Sequence, residues 1–194
     1  MQCKRMFTTD SYKGAKNYLQ TQKKYEILRT VLYFLISLSL FIAGWISTGS
    51  RENLLTIVAV LGCLPACKSL VEMIMFLRFQ GCNPKAADKI AAHTEDLTGL
   101  YDMVFTSYEK NFCIHHLTVC GNTVCGYTAD PKFAEQAFYK HIQDVLKKDN
   151  YREVSVKIFT DLDKYLSRCE QLKELPSQPQ LTAGICQTLK SVAL

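Results

Sequence analysis

Residues 113–125 read CIHHLTVCGNTVC, three cysteines and two adjacent histidines within thirteen positions. Such side chains can hold a soft metal or make a thiolate–imidazole pair. Gly121-Asn122 between alternating runs predicts a hairpin with a two-residue type II′ turn. That turn sets Cys120 opposite Thr123, Val119 opposite Val124, Thr118 opposite Cys125 and His116 opposite Tyr127. The side-chain period of two then gathers His116, Thr118, Cys120, Thr123, Cys125 and Tyr127 on one face. Cys113, His115, Leu117, Val119 and Val124 take the other.

Zinc needs donor atoms within ~4 Å of one another, because its bonds are about 2.0–2.3 Å long. His116 and Cys120 are separated along one strand by ~13 Å, at a rise of ~3.3 Å per residue. No C-x-x-C is present. The spacing argues against a metal site, and no cofactor is expected. Cys125 is diagonal to His116 across the hairpin, a separation suited to a thiolate pair. The pair lacks a third orienting residue or an oxyanion-forming loop, so His116 and Cys125 make an incomplete catalytic set.

The elements that carry these residues follow from local signals. Asn83-Pro84 starts a short helix that Gly99 stops. Strands are expected at about 100–107, 111–120 and 123–128. Asp130-Pro131 reads as an N-cap with proline in the first turn of a helix containing FAEQAFYKHIQDVL. EVSVKIFT, residues 153–160, alternates as a fourth strand, and Asp161 caps a helix that ends before Pro176. The stripe Leu181, Ile185, Leu189, Val192 suggests an amphipathic tail helix. The result is a small α/β domain of order α-β-β-β-α-β-α, with an antiparallel meander and one crossover. This order is similar to the core of restriction-endonuclease-like nucleases, which runs α-β-β-β-α-β. That resemblance would place Asp102 as the first magnesium-binding acid. The following strand has no acid-x-Lys pair, so only a degenerate scaffold of that kind is implied.

Two uncharged or nearly uncharged runs precede this domain. Residues 30–47 carry no charge and no polar face. As a helix they extend about 27 Å, close to the ~30 Å of bilayer hydrocarbon. The second run, 54–77, is interrupted only by Lys68 and Glu72. It must continue past Lys68, because 54–67 alone would reach only about 21 Å. The sequence therefore predicts a two-span α-helical transmembrane hairpin over 30–77. A cleavable leader fits poorly, since the first run begins near residue 30 and another follows at once.

Charge sets the orientation. Residues 1–29 contain seven basic and two acidic side chains, net +5. Residues 83–194 contain thirteen basic and fourteen acidic ones, so the whole-chain charge of +5 is a property of the segment before the first span. The positive-inside rule places both termini in the cytoplasm of a cell-membrane protein. The basic segment 1–29 suits anionic headgroups, and no nucleic-acid partner is expected. Seven of the nine cysteines then lie where thiols stay reduced, and Cys63 and Cys67 lie within the bilayer. The domain plan is a basic juxtamembrane segment 1–29, the hairpin 30–77, a cytoplasmic α/β domain 83–175, and a linker with a short tail helix 176–194.

Charges at membrane depth are costly and need partners. Lys68 and Glu72 share a helix face one turn apart, just beyond the kink expected at Pro65. If the hairpin turns near residues 49–50, facing positions sum to about 99. Arg29 then comes to Glu72 and Tyr33 to Lys68. Tyr33, Ser37, Leu40, Gly44 and Ser47 line one side of the first span, where small residues permit close packing. Asp161-x-Asp163 reads as a helix cap and first turn, and Lys132, Lys140, Lys147 and Lys148 read as a solvated face. The sequence thus points to a membrane-anchored interaction protein that binds a protein partner or a copy of itself. The alternatives are a membrane-tethered enzyme centred on Cys125 and His116 or on Asp102, and a small-ligand sensor.

Overall fold

The computed structural model describes residues 12–49, 53–107, 110–176 and 178–194. Lys4, Arg5 and Cys3, and the connector pair Arg51-Glu52, lie outside the described residues. Two compact units divide the chain, one holding described residues 19–49 and 53–79, the other 12–18 with 80–194.

The first unit consists of two long helices, α1 (Tyr18–Thr48) and α2 (Leu54–Arg78). Both are long and apolar enough to span a membrane. Asn53 caps α2, its side chain accepting from Thr56 N at 2.8 Å. The helix continues through Pro65. Gly44 and Gly62 sit where a side chain would collide: an added Cβ would meet Leu55 Cβ at 2.8 Å and Ser37 Oγ at 2.9 Å, respectively. Small residues therefore set how closely the two helices pack.

In the second unit a mixed four-stranded sheet of order β1-β2-β3-β4 lies between two helical layers. Its strands are β1 (Thr98–Thr106), β2 (Asn111–Cys120), β3 (Thr123–Tyr127) and β4 (Ser155–Phe159). The first three form an antiparallel meander, and β4 returns parallel to β3 after α4 (Glu135–Lys148). With α3 (Pro84–His93), α5 (Leu162–Lys173) and α6 (Pro179–Val192), the order runs α-β-β-β-α-β-α and then the tail helix. One face of the sheet packs Leu117, Val119, Val124 and Ile158 against Phe138, Ile142 and Leu146 of α4 and Ile185 and Leu189 of α6. The opposite face packs Cys125 and Tyr127 against Tyr165, Leu166, Cys169 and Leu172 of α5, with Ala87 and Ile90 of α3.

Several boundaries differ from the local signals. Asp130 does not cap α4: its carboxylate accepts from Lys132 N at 2.9 Å in a separate turn, and the helix starts at Glu135 without a side-chain cap. Gly99 does not stop α3 but pairs with Thr118 inside β1. A Cβ there would lie 2.6 Å from His116 Nε2, so the glycine makes room for that ring. Strict alternation also fails once. Leu100 and Met103 on β1, like Ile114 and Leu117 on β2, enter the same core although each pair is three residues apart. The break falls at Asp102 and His115, the one pair absent from the register, where Asp102 takes φ +53°. Asp tolerates that left-handed conformation better than most residues. In consequence Cys113 leaves the face of Leu117, and its thiol donates to Gln80 O at 3.5 Å.

Neither end of the second unit is a loose appendage. Lys13 Nζ donates to Ala193 O at 2.8 Å, Tyr101 N to Gly14 O at 2.9 Å and Leu194 N to Val104 O at 2.8 Å. Lys16 pairs with Asp88 at 2.7 Å. Residues 12–18 of the basic segment 1–29 thus group with the α/β unit, and Ile185 and Leu189 of the tail helix lie in its core. Ile185→Ala should lower stability by about 2–5 kcal/mol, the usual cost of truncating a buried aliphatic side chain. Thermal or denaturant unfolding of the α/β signal checks this, and an unchanged midpoint would detach α6 from the core.

Candidate functional site

Gly121 at φ +53° followed by Asn122 outside the positive region forms the turn between β2 and β3. Thr118 pairs with Cys125 and His116 with Tyr127 across it. His116 is fully buried. Its Nδ1 lies 2.6 Å from the hydroxyl of Tyr165, which also meets Thr118 Oγ1 at 2.6 Å. Thr118 in turn approaches Cys169 Sγ at 3.8 Å. The His116 ring meets Tyr101 edge-on at 4.3 Å between centroids, and its Nε2 has no hydrogen-bond partner. Burial pushes the imidazole pKa down to about 3, so the ring is neutral at physiological pH.

Cys125 is buried too, but its electrostatic neighbours are Arg168, Cys169 and Lys157, not His116. Burial raises its thiol pKa, with Arg168 partly opposing. His116 is thus bound to Tyr165 and Cys125 is turned to Arg168, so the structure does not bring the two into one nucleophile–base pair. Asp102 lies elsewhere on the same sheet, buried and accepting from Cys82 N at 2.7 Å. Burial and the Asp102 carboxylate raise the Cys82 thiol to about 11. Among the described residues no three His, Cys, Asp or Glu side chains converge as a metal site would require. Asp161 accepts from Asp163 N at 3.0 Å as the α5 cap.

A cleft of about 650 Å³ opens beside this network, between α5 and β4. Cys125 is at its floor, with Ser155, Lys157 and Phe159 from β4 and Asp163, Lys164, Ser167, Arg168 and Gln171 from α5 around it. Three cations face a single carboxylate. Lys157 rests 5.4 Å from the Phe159 ring centroid, and Arg168 donates to Gln171 Oε1 at 2.8 Å. Among the described residues neither Lys157 nor Arg168 pairs with a carboxylate. The sequence holds a trace of this grouping. Lys157 alternates with Ser155 and Phe159, and Lys164 and Arg168 share a helix face one turn apart. What joins the two sets is the packing of α5 on β3 and β4.

In the helical unit, Arg29, Tyr33, Lys68 and Glu72 line one cavity of about 260 Å³ with Pro65 and Ser69. Arg29 bonds both Glu26 and Glu72 and donates to Ser69 Oγ at 3.2 Å. Ser69 meets Thr30 at 2.8 Å, and Gln22 Nε2 donates to Glu26 Oε1 at 3.0 Å. Lys68 stands 4.0 Å from Glu72 with its side chain 81% exposed, and so contributes little to the cluster. Two cations and two carboxylates share the cluster, balanced around one guanidinium.

The chain matches no protein-family profile, no curated protein and no solved structure.

The buried imidazole gives a pH test. Unfolded histidine has a pKa of about 6.5. Between that value and about 3 the unfolded state binds more protons than the fold, so His116 makes stability fall as pH falls. The slope is at most ~1.4 kcal/mol per pH unit. His115, also lowered by burial, acts in the same direction. His116→Gln should therefore flatten, without abolishing, the acid dependence of the denaturation midpoint; parallel curves for the two proteins would refute a neutral buried ring. In the helical unit, Arg29→Leu strands Glu26, whose side chain is 3% exposed. Breaking a buried pair in this way should cost about 3–5 kcal/mol, read as a lower melting temperature of the helices in detergent.

Proposed function

We propose that this chain is a membrane-anchored interaction protein whose two apolar helices cross the bilayer as a hairpin and hold the α/β unit in the cytoplasm. The observation that carries the reading is the inverted pattern of α1 and α2. Gln22, Glu26, Thr30, Ser37 and Ser69 are buried, while Val31, Leu35, Ile46, Leu54, Val60 and Leu64 are exposed. A water-soluble helix pair would do the reverse. Lipid accommodates the apolar exterior, and the paired charges inside satisfy one another.

Orientation rests on the positive residues of 12–29, which include Lys23, Lys24 and Arg29, against a connector whose two charges cancel. Lys16 and Lys13 are engaged within the α/β unit and Lys23 donates to Phe79 O, so the interfacial lysine best placed for anionic headgroups is the exposed Lys24 on α1. The interaction reading for the α/β unit is supported by its cleft between α5 and β4 and by the burial of His116 and Asp102. A membrane anchor adds to such a domain by confining its partner to a surface.

A fluorescent-protein reporter and a phosphatase reporter, each fused after Leu194, test the arrangement. The fluorescent fusion should be bright and the phosphatase silent, with the chain retained in membranes after alkaline extraction. An active phosphatase fusion would overturn the orientation, and release by alkali would overturn the anchor.

A further inference from the structure

The two edges of the sheet are treated differently. Along β1 the chain covers its own edge, with Gly14 paired to Tyr101 and Ala193 bridged to Phe105. Along β4 no described segment pairs in this way. Ser155 N donates to Asn122 O at 2.8 Å and Phe159 O accepts from Thr128 N at 3.0 Å, so residues 155, 157 and 159 direct their main-chain groups to β3. By the alternation of a strand, the N–H and C=O groups of Val156 and Ile158 point outward. Among the described residues no backbone or side-chain group bonds them. An unpaired edge of this kind is a template for another strand.

The cleft beside α5 adjoins this edge. Ser155, Lys157 and Phe159 project into it from β4, and Lys164, Ser167 and Arg168 face them from α5. A strand added to β4 would place every second side chain over this cleft, beside Lys157. There the three cations outnumber the one carboxylate, Asp163. Lys157 and Arg168 have no carboxylate of their own, while Lys164 stands 3.9 Å from Asp161, so acidic side chains would meet two cations without displacing a carboxylate. A second copy of this chain fits less well, because pairing β4 with β4 would set Lys157 and its neighbouring cations against their equivalents.

We propose that the β4 edge and the α5 cleft together form a docking site for an extended acidic peptide, which adds to the sheet as a fifth strand and places alternate Asp or Glu side chains against Lys157, Lys164 and Arg168. Main-chain bonds to Val156 and Ile158 supply binding that is independent of sequence, and the cations select acidic residues. The proposal rests on the reading of the α/β unit as a recruiter of protein partners, and names the surface and the partner's chemistry.

The test uses the full chain in lipid nanodiscs and a fluorescein-labelled ten-residue peptide of alternating glutamate and valine. Fluorescence anisotropy should show saturable binding that weakens as salt rises. The Lys157→Glu/Arg168→Glu double variant should bind about tenfold or more weakly, as should a peptide N-methylated at alternate residues. Bound peptide should slow amide exchange at Val156 and Ile158. Both changed side chains lie at the cleft, and an unchanged melting temperature of the double variant shows that the fold survives. The docking site is overturned if no binding is found, if N-methylation or the charge reversals leave affinity unchanged, or if nanodiscs with anionic lipid compete the peptide off while those with neutral lipid do not. It is also overturned if the free protein dimerises through β4. Protein partners captured equally by wild type and double variant would refute this surface while leaving the broader interaction reading intact.

Discussion

The hydroxyl of Tyr165 is the contact on which the geometry of the α/β unit turns. It lies in a fully buried position on α5 and joins His116 and Thr118 of the central strand β2. An unsatisfied buried hydroxyl would cost ~1–3 kcal/mol, so this sharing ties α5, packed on β3 and β4, to the inner strand β2. With α5 held there, Asp163, Lys164, Ser167 and Arg168 of α5 and Lys157 of β4 line the cationic cleft. The same contact explains the buried imidazole. His116 is retained as a neutral polar group joining sheet to helix, and Gly99 lacks a side chain because that ring occupies the space.

The helical unit solves a related problem with opposite polarity. Its interior is polar and its exterior apolar, so its specificity comes from close packing and from Arg29. One guanidinium serves Glu26, Glu72 and Ser69 together, as its planar array of donors allows and a lysine ammonium would not. Gly44 and Gly62 let the backbones approach closely enough for Thr30 to reach Ser69. Lys68, which the sequence singles out as strongly as Glu72, points outward and touches the cluster only at its margin. In a bilayer its long stem would carry the ammonium toward the interface.

Asp102 and His115 show how one irregularity redistributes chemistry across a sheet. A conformational break on both strands at the same level restores each to the core three residues on. Phe112 and Ile114 therefore share a core with Leu117 and Val119, and Cys113 is moved to the opposite face. Nothing in the residue types of LYDMVF or FCIHHL announces this. Aspartate's tolerance of positive φ makes the break cheap, and its carboxylate bonds the incoming Cys82 backbone.

Much of this protein was written in local signals. Two apolar runs of spanning length, the order of helices and strands, the Gly121-Asn122 turn and the hairpin register around it all follow from composition and short-range stereochemistry. So does the Asn83 cap, whose side chain accepts from Lys85 N at 3.0 Å, and so does the Asp161 cap. The meeting of Arg29 with Glu72 follows from the spacing of a helical hairpin. Other features depended on contacts between residues remote in sequence. The start of α4, the place of Gly99 in β1, the inclusion of residues 12–18 and α6 in one core, and the face taken by Cys113 were decided by packing, which overrides weak local preferences when apolar area is buried. The cleft belongs to this second group. Lys157 and Arg168 are ordinary surface cations in the sequence, and they come together because Tyr165 holds α5 beside a strand whose outer edge no described strand pairs.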